Sequence, residues 1–275
     1  MYLDNFSLKD LLLGFALLCM VAGLSFLVSI PGCGNDEINP CDPHSVDRFG
    51  LTPVHHAAIE NDTELLETLL INYSGNPDVY DEDGVAPIHR AARDGYKATV
   101  ELLVKHGANA NLKSRSGWSA IMLATRENQL PMVKYLTELG VDISHTTPSN
   151  QSLLELGVKT HNAELIQLYV DNKFEIDWEF SDGHTPLTYA ITEKKIELAK
   201  EILRMGADAN TYFDSNFIPL HLAIRSHDIG LVTSLLEAGA DPSERSLQGE
   251  LPIEIARYEN LDDAVQELRR FQQRR

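Results

Sequence analysis

Cysteine is scarce. The 275-residue chain has three, Cys19, Cys33 and Cys41, all in its first 41 residues. The rest therefore has no disulfide framework, no cysteine nucleophile and no cysteine-based zinc site. Positive charge is also short, with 23 Lys plus Arg against 41 Asp plus Glu. A formal net charge of −18 repels phosphate backbones and excludes nucleic acid as a partner. No HExxH pair, glycine-rich phosphate cradle or G-x-S-x-G elbow occurs. The acidic run Asp78, Asp81, Glu82, Asp83 and Gly84 is not a calcium loop. Tyr80 stands where an oxygen ligand is needed, and no glutamate closes the loop. These absences leave no metal, no cofactor, no small-molecule substrate and no enzyme. With 43% hydrophobic and 23% charged residues, the body still has an ordinary globular composition and holds together by packing.

Charge is missing altogether from Leu11 to Ile30, twenty residues that as a helix span about 30 Å, the thickness of a hydrocarbon core. Residues 1–32 are expected to be a signal-anchor helix or a lipoprotein signal. Ile30-Pro31-Gly32-Cys33 is similar to a lipobox, which marks Cys33 for lipidation. Pro31 and the acidic Asp4 and Asp10 depart from the usual leader. Lys9 precedes the span and Asp36, Glu37, Asp42 and Asp47 follow it. The body is therefore expected outside the cytoplasm, in the periplasm if the source is bacterial. There Cys33 and Cys41 are able to pair, unless Cys33 carries lipid; Cys41 as a free thiol is the other arrangement.

Beyond a linker over 33–46, the sequence repeats. Pro53, Pro87, Ala120, Ser152, Pro186, Pro219 and Pro252 recur at intervals of 32 to 34 residues. Three residues before each stands Gly50, Gly84, Gly117, Ser149, Gly183, Asn216 or Gly249, types that tolerate a tight turn. Gly107, Gly140, Gly206 and Gly239 mark a second turn. Between the turns, Thr52-Pro53 is a cap followed by proline at the first helical position. Leu65, Leu66, Leu69 and Leu70 mark a second apolar helix. Repeat four lacks the proline, and Lys173-Phe174 replaces its glycine turn.

The segments Thr52-Pro53-Val54-His55-His56-Ala57, Ala86-Pro87-Ile88-His89-Arg90-Ala91, Thr185-Pro186-Leu187-Thr188-Tyr189-Ala190 and Ile218-Pro219-Leu220-His221-Leu222-Ala223 resemble the T-P-L-H-x-A motif of ankyrin repeats. The resemblance implies an all-α solenoid over 47–275, of about seven helix-turn-helix repeats with β-hairpin loops, preceded by an N-terminal hydrophobic helix. It gives His55, His89 and His221 a structural role, tying neighbouring loops together. Leu261 to Phe271 is expected to shield the last repeat.

Such a solenoid implies a protein–protein interaction module that binds another protein through its concave face, here tethered to a membrane by residues 11–30. An immunity or regulatory protein acting on a periplasmic enzyme or secreted effector, for example a lipase, is the alternative. In slots the fold leaves open stand His56, Arg90, Trp118, Leu123, His184, Tyr189, Phe217 and Leu222. Rigid aromatic and arginine side chains there suit anchoring of a partner, unless they pack on neighbouring loops. Arg90, Arg93, Arg115 and Arg126 form a basic spot in the acidic body, although Asp94 and Glu127 lie within reach of Arg93 and Arg126.

Overall fold

The computed structural model describes Asp42 and residues 44–211, 218–246 and 248–273. The apolar segment 11–30, Cys33, Cys41 and Phe217 lie outside them. Fourteen helices occur among the described residues, as seven inner–outer pairs. The pairs are α1 (Pro53–Ile59) with α2 (Thr63–Asn72), α3 (Pro87–Arg93) with α4 (Lys97–Lys105), and α5 (Ala120–Arg126) with α6 (Leu130–Glu138). Then follow α7 (Leu153–Lys159) with α8 (Ala163–Asp171), α9 (Pro186–Thr192) with α10 (Ile196–Arg204), α11 (Pro219–Arg225) with α12 (Ile229–Glu237), and α13 (Pro252–Tyr258) with α14 (Asp262–Gln272).

Seven-residue inner helices are too short to persist alone; each is held by its cap and by its neighbours. In α1, Thr52 accepts from the His55 amide and Pro53 fills the first position. Val54, Ala57 and Ala58 of α1, and Ile88, Ala91 and Ala92 of α3, are fully buried. Small alanines let inner helices approach closely, and Leu66, Val100, Leu103, Val133 and Leu136 of the outer helices complete the core.

The chain forms two compact units, which divide between Asp142 and Ile143. In the first, α1, α3 and α5 stack as inner helices, and α2, α4 and α6 as outer ones. In the second, α7, α9, α11 and α13 stack inside and α8, α10, α12 and α14 outside. Repeat four thus belongs to the second unit, and α14 packs on α12 and α13 as the terminal cover.

Backbone conformation repeats as strictly as sequence. Between the helices of each pair stands a left-handed residue, at Asn61, Gly95, Asn128, His161, Lys194, His227 and Asn260. A second series, after each outer helix, runs Ser74, Gly107, Gly140, Lys173, Gly206 and Gly239. The third runs Gly50, Gly84, Gly117, Asn150, Gly183 and Gly249. Repeat four is therefore one residue out of the register expected above. Asn150, at φ 62°, holds the turn position rather than Ser149. Ser152 is the cap, accepting from the Glu155 amide at 3.1 Å, and Leu153 stands in the proline position.

The loops carry a regular scheme of hydrogen bonds rather than extended strands; Lys113 and Ser119 form one isolated antiparallel bridge. At each of the six described tips the first residue donates to the carbonyl of the fifth, as Asp81 does to Val85 at 3.0 Å and Phe180 to His184 at 2.7 Å. Successive tips then join, with Glu82 N–H donating to Phe49 O at 3.2 Å and Arg115 N–H to Gly84 O at 2.9 Å. Between repeats, Asn109 N–H donates to Asp78, Asp142 N–H to Asn111 and Asp241 N–H to Asn210, in each case across 31 residues.

Two glycines separate backbone strain from crowding. Gly84, at φ 73°, lies so close to the next loop that a Cβ would overlap the Cβ, Cγ and Cδ of Arg115. Gly107, at φ 93°, has nothing within 4 Å of such a Cβ. Gly107→Ala should cost about 1 kcal/mol, the penalty of a left-handed alanine. Gly84→Ala should cost about 3 kcal/mol, because the loop-to-loop contact must also open. Urea denaturation of both variants checks the difference; equal losses would mean that the Arg115 contact carries no stability.

Candidate partner-binding surface

In repeats one, two and five the first residue of the tip lies near the tenth, on the inner helix. In repeat one, Asp47 Oδ1 accepts from the amides of Phe49 and Leu51 at 2.8 and 2.9 Å. Its Oδ2 lies 3.2 Å from His56 Nε2. Burial works to raise the Asp47 carboxyl, but the Leu51 and Phe49 amides and His56 outweigh it and hold the group below its ordinary value. In repeat two, Asp81 accepts from Val85 N–H at 2.8 Å and from the Arg90 guanidinium. Asp81 is almost wholly buried, Arg90 keeps 20% of its side chain exposed, and Arg90 Nε is buried without a partner. Arg90 is thus a framework cation with one accessible edge.

The other arginines of the basic spot differ. Arg93 is held by both carboxylate oxygens of Asp94, at 2.7 and 3.1 Å, and this hydrogen bonding raises its pKa. Arg126 pairs with Glu127 at 3.0 Å and lies 4.7 Å from the centre of the Trp118 ring. Arg115 has no carboxylate partner among the described residues; its guanidinium sits 5.8 Å from the Tyr80 ring. Trp118 and Leu123 are half-buried on the inner side of repeat three, with Trp118 N–H donating to Ser114 Oγ at 3.0 Å.

In the second unit the ionic pair is replaced by rings. Phe180 takes the first slot and Tyr189 the tenth, 6.0 Å apart between centres. His184 meets Tyr189 edge-on at 6.0 Å, and His161, from the preceding repeat, lies nearly parallel to it at 6.5 Å. Tyr189 and His184 are half-buried, His161 is exposed and Phe180 is buried. Burial lowers the pKa of both histidines. Neither Phe180 nor His161 is among the residues in the open slots of the sequence. An aromatic in a slot that holds Asp, Ser or Thr in every other repeat but the sixth, where Phe213 stands, was the available signal for Phe180.

The histidines of the repeated motif are structural. Thr52 N–H donates to His55 Nδ1 at 3.2 Å, which leaves the proton on Nε2, 3.1 Å from Val85 O of the next loop. His89 spans Ala86 N and Leu112 O in the same way at 3.1 and 2.9 Å, and His221 Nε2 reaches Glu250 O at 3.2 Å. Where histidine is lacking, Thr188 accepts from Thr185 N–H and Glu254 from Leu251 N–H, both at 2.8 Å.

Comparison with protein families places this architecture. The family model described as ankyrin repeats (3 copies) matches residues 24–114, 61–147 and 154–246, which together take in most of the chain. The chain belongs to the ankyrin-repeat family. Among solved structures it is similar to the human ASB11 ankyrin repeat domain, at 25% identity and a TM-score of 0.63, covering 80% of this chain and 98% of that one. It is also similar to the ankyrin repeat domain of Bcl-3, described as a unique member of the IkappaB protein family. That match has 25% identity and a TM-score of 0.68, and covers 80% of this chain and 99% of the other. A search of curated proteins found no match. The ankyrin region is a binding scaffold of the kind that takes other proteins, and it has no catalytic domain. Among the described residues no helix is long and apolar enough to cross a membrane.

Proposed function

We propose that this chain binds a partner protein on the inner-helix and tip surface of its ankyrin units, tethered to a membrane by residues 11–30 with the repeats outside the cytoplasm. The carrying observation is the choice of residues in the open slots. Leucine serves at the tenth position as Leu123 and Leu222, yet Tyr189 occupies it in repeat five, and Trp118 stands at the fifth position of repeat three. Both rings are held by neighbours and keep a solvent-facing side. Rigid rings of this kind bury much area for little lost entropy. His56, Arg90 and Arg93 frame the surface in the first unit and His184 in the second; Phe217 falls in the same series. A partner that is an enzyme or secreted effector would be inhibited or supported by occupancy, without turnover by this chain.

A photoreactive amino acid placed at Trp118 or at Tyr189 in cells should give one adduct of defined mass, sedimenting with membranes. The same group at Glu101, exposed on α4, should give none. Loss of adduct at both inner positions would refute the binding surface, and an adduct wholly in the soluble fraction would refute the tether.

A further inference from the structure

We propose that Tyr189 and its surrounding rings form a seat, in the second unit, for an arginine or lysine side chain of the partner. This rests on the protein-binding reading above and names the chemistry that the surface selects. The seat is an aromatic floor: Phe180 lies buried beside Tyr189 with its ring steeply inclined to it, His184 stands nearly perpendicular to it and His161 lies nearly parallel. The Tyr189 hydroxyl has no hydrogen-bond partner among the described residues.

Four rings among the described residues already carry a cation. Arg48 lies 4.7 Å from the centre of Phe49, Arg115 5.8 Å from Tyr80, Arg126 4.7 Å from Trp118 and Lys97 5.3 Å from Tyr135. Tyr189 has none among the described residues, although a cation within about 6 Å of a ring is attracted to its face. The charges near it favour an incoming one. Asp182 at the tip and Glu193 after α9 both act on this cluster, and neither has an ion-pair partner among the described residues. Lys159 of α7 is taken up by the buried Glu155 at 2.7 Å. Lys195, before α10, is the remaining positive group, on the His161 side. The two histidines are kept neutral, chiefly by burial, so that the floor stays free of competing charge at neutral pH. The net charge of −18 draws a basic segment toward the chain before contact.

The test uses the full chain and a soluble glycine–serine peptide carrying two arginines, with an otherwise identical peptide carrying citrulline. The arginine peptide should shift the Tyr189 ring resonances and bind about tenfold tighter than the citrulline peptide. Tyr189→Leu, which installs the residue used at this slot in repeats three and six, should weaken it about five- to tenfold. Asp182→Asn with Glu193→Gln should do the same, whereas Glu197→Gln with Glu201→Gln on α10, an equal change of charge, should leave affinity unaltered. Equal binding of the two peptides, or full affinity in Tyr189→Leu, overturns the seat. Should Tyr189→Leu fail to fold, the carboxylate variants decide. A photoadduct at Trp118 or Tyr189 in cells, with no arginine preference in solution, would leave the binding surface standing and remove only its cationic specificity.

Discussion

Asp81→Leu should destabilise the first unit by about 3–5 kcal/mol, the cost of stranding one member of a buried ion pair. Asp81 Oδ1 holds the tip by accepting from Val85 N–H at 2.8 Å, and Oδ2 receives the Arg90 guanidinium. Removing the carboxylate leaves a mostly buried guanidinium without a counter-ion, with Nε already lacking a partner. The loss should be recovered in large part by changing both positions to the pair found in repeat five. Asp81→Phe with Arg90→Tyr recreates the Phe180–Tyr189 contact, which needs no charge. Urea denaturation followed by Trp118 fluorescence measures both variants. A double variant no more stable than Asp81→Leu would show that the two positions are not exchangeable as a unit. Asp47→Leu should cost less, because Asp47 and His56 keep 13% and 27% of their side chains exposed, more than Asp81 and Arg90 do.

That exchange shows what the sequence allowed and what was overlooked. The first and tenth positions vary together in six of the seven repeats: Asp47 with His56, Asp81 with Arg90, Ser114 with Leu123, Thr147 with Leu156, Phe180 with Tyr189, Ser246 with Ile255; repeat six departs, with Phe213 and Leu222 in the two positions. Charge pairs with charge, ring with ring, and a small hydroxyl with an aliphatic chain. Seen column by column, this predicts that Arg90 is neutralised within the fold. Read as a cluster of like charges along the chain, the same arginine looks like part of a free basic spot. Repeat boundaries were legible because turn and cap residues are constrained by left-handed backbone and by unpaired helix-end amides, which few residue types satisfy. Repeat four slipped by one position because Ser149 and Asn150 are both plausible turn residues, and only the backbone shows that Asn150 takes the left-handed conformation. The seat around Tyr189 was half legible. His184 and Tyr189 lie in open slots, but His161 reaches Tyr189 from the turn between α7 and α8 of the preceding repeat. Such contacts depend on the stacking of repeats, which a periodic pattern implies only in outline.

Stability should fall as pH drops below about 6.5, the ordinary value for histidine. Burial, the largest influence, lowers the pKa of His55, His89 and His221 from the ordinary value of 6.5, although each accepts or donates hydrogen bonds that partly oppose it. Above 6.5 these histidines are neutral in both folded and unfolded chains and contribute no pH dependence. Below it, the unfolded chain takes up protons that the folded chain refuses. Stability is therefore lost as pH falls from 6.5 toward the folded values, by up to about 1.4 kcal/mol per pH unit for each histidine. His161 and His184, also lowered chiefly by burial, add to the effect in the second unit. Asp47 acts in the same direction only below its ordinary value of 3.8, which separates its contribution from that of the histidines. Denaturation midpoints between pH 7.5 and 5, read by Trp118 for the first unit and Trp178 for the second, should decline on this schedule. His55→Thr adopts the Thr185–Thr188 arrangement of repeat five and should remove one histidine's share of the slope in the first unit, while lowering stability at pH 7.5 through loss of the bond to Val85 O. An unchanged slope in that variant would show that the His55 ring takes up a proton as readily in the folded chain as in the unfolded one, and that the neutral ring is not what holds the loop.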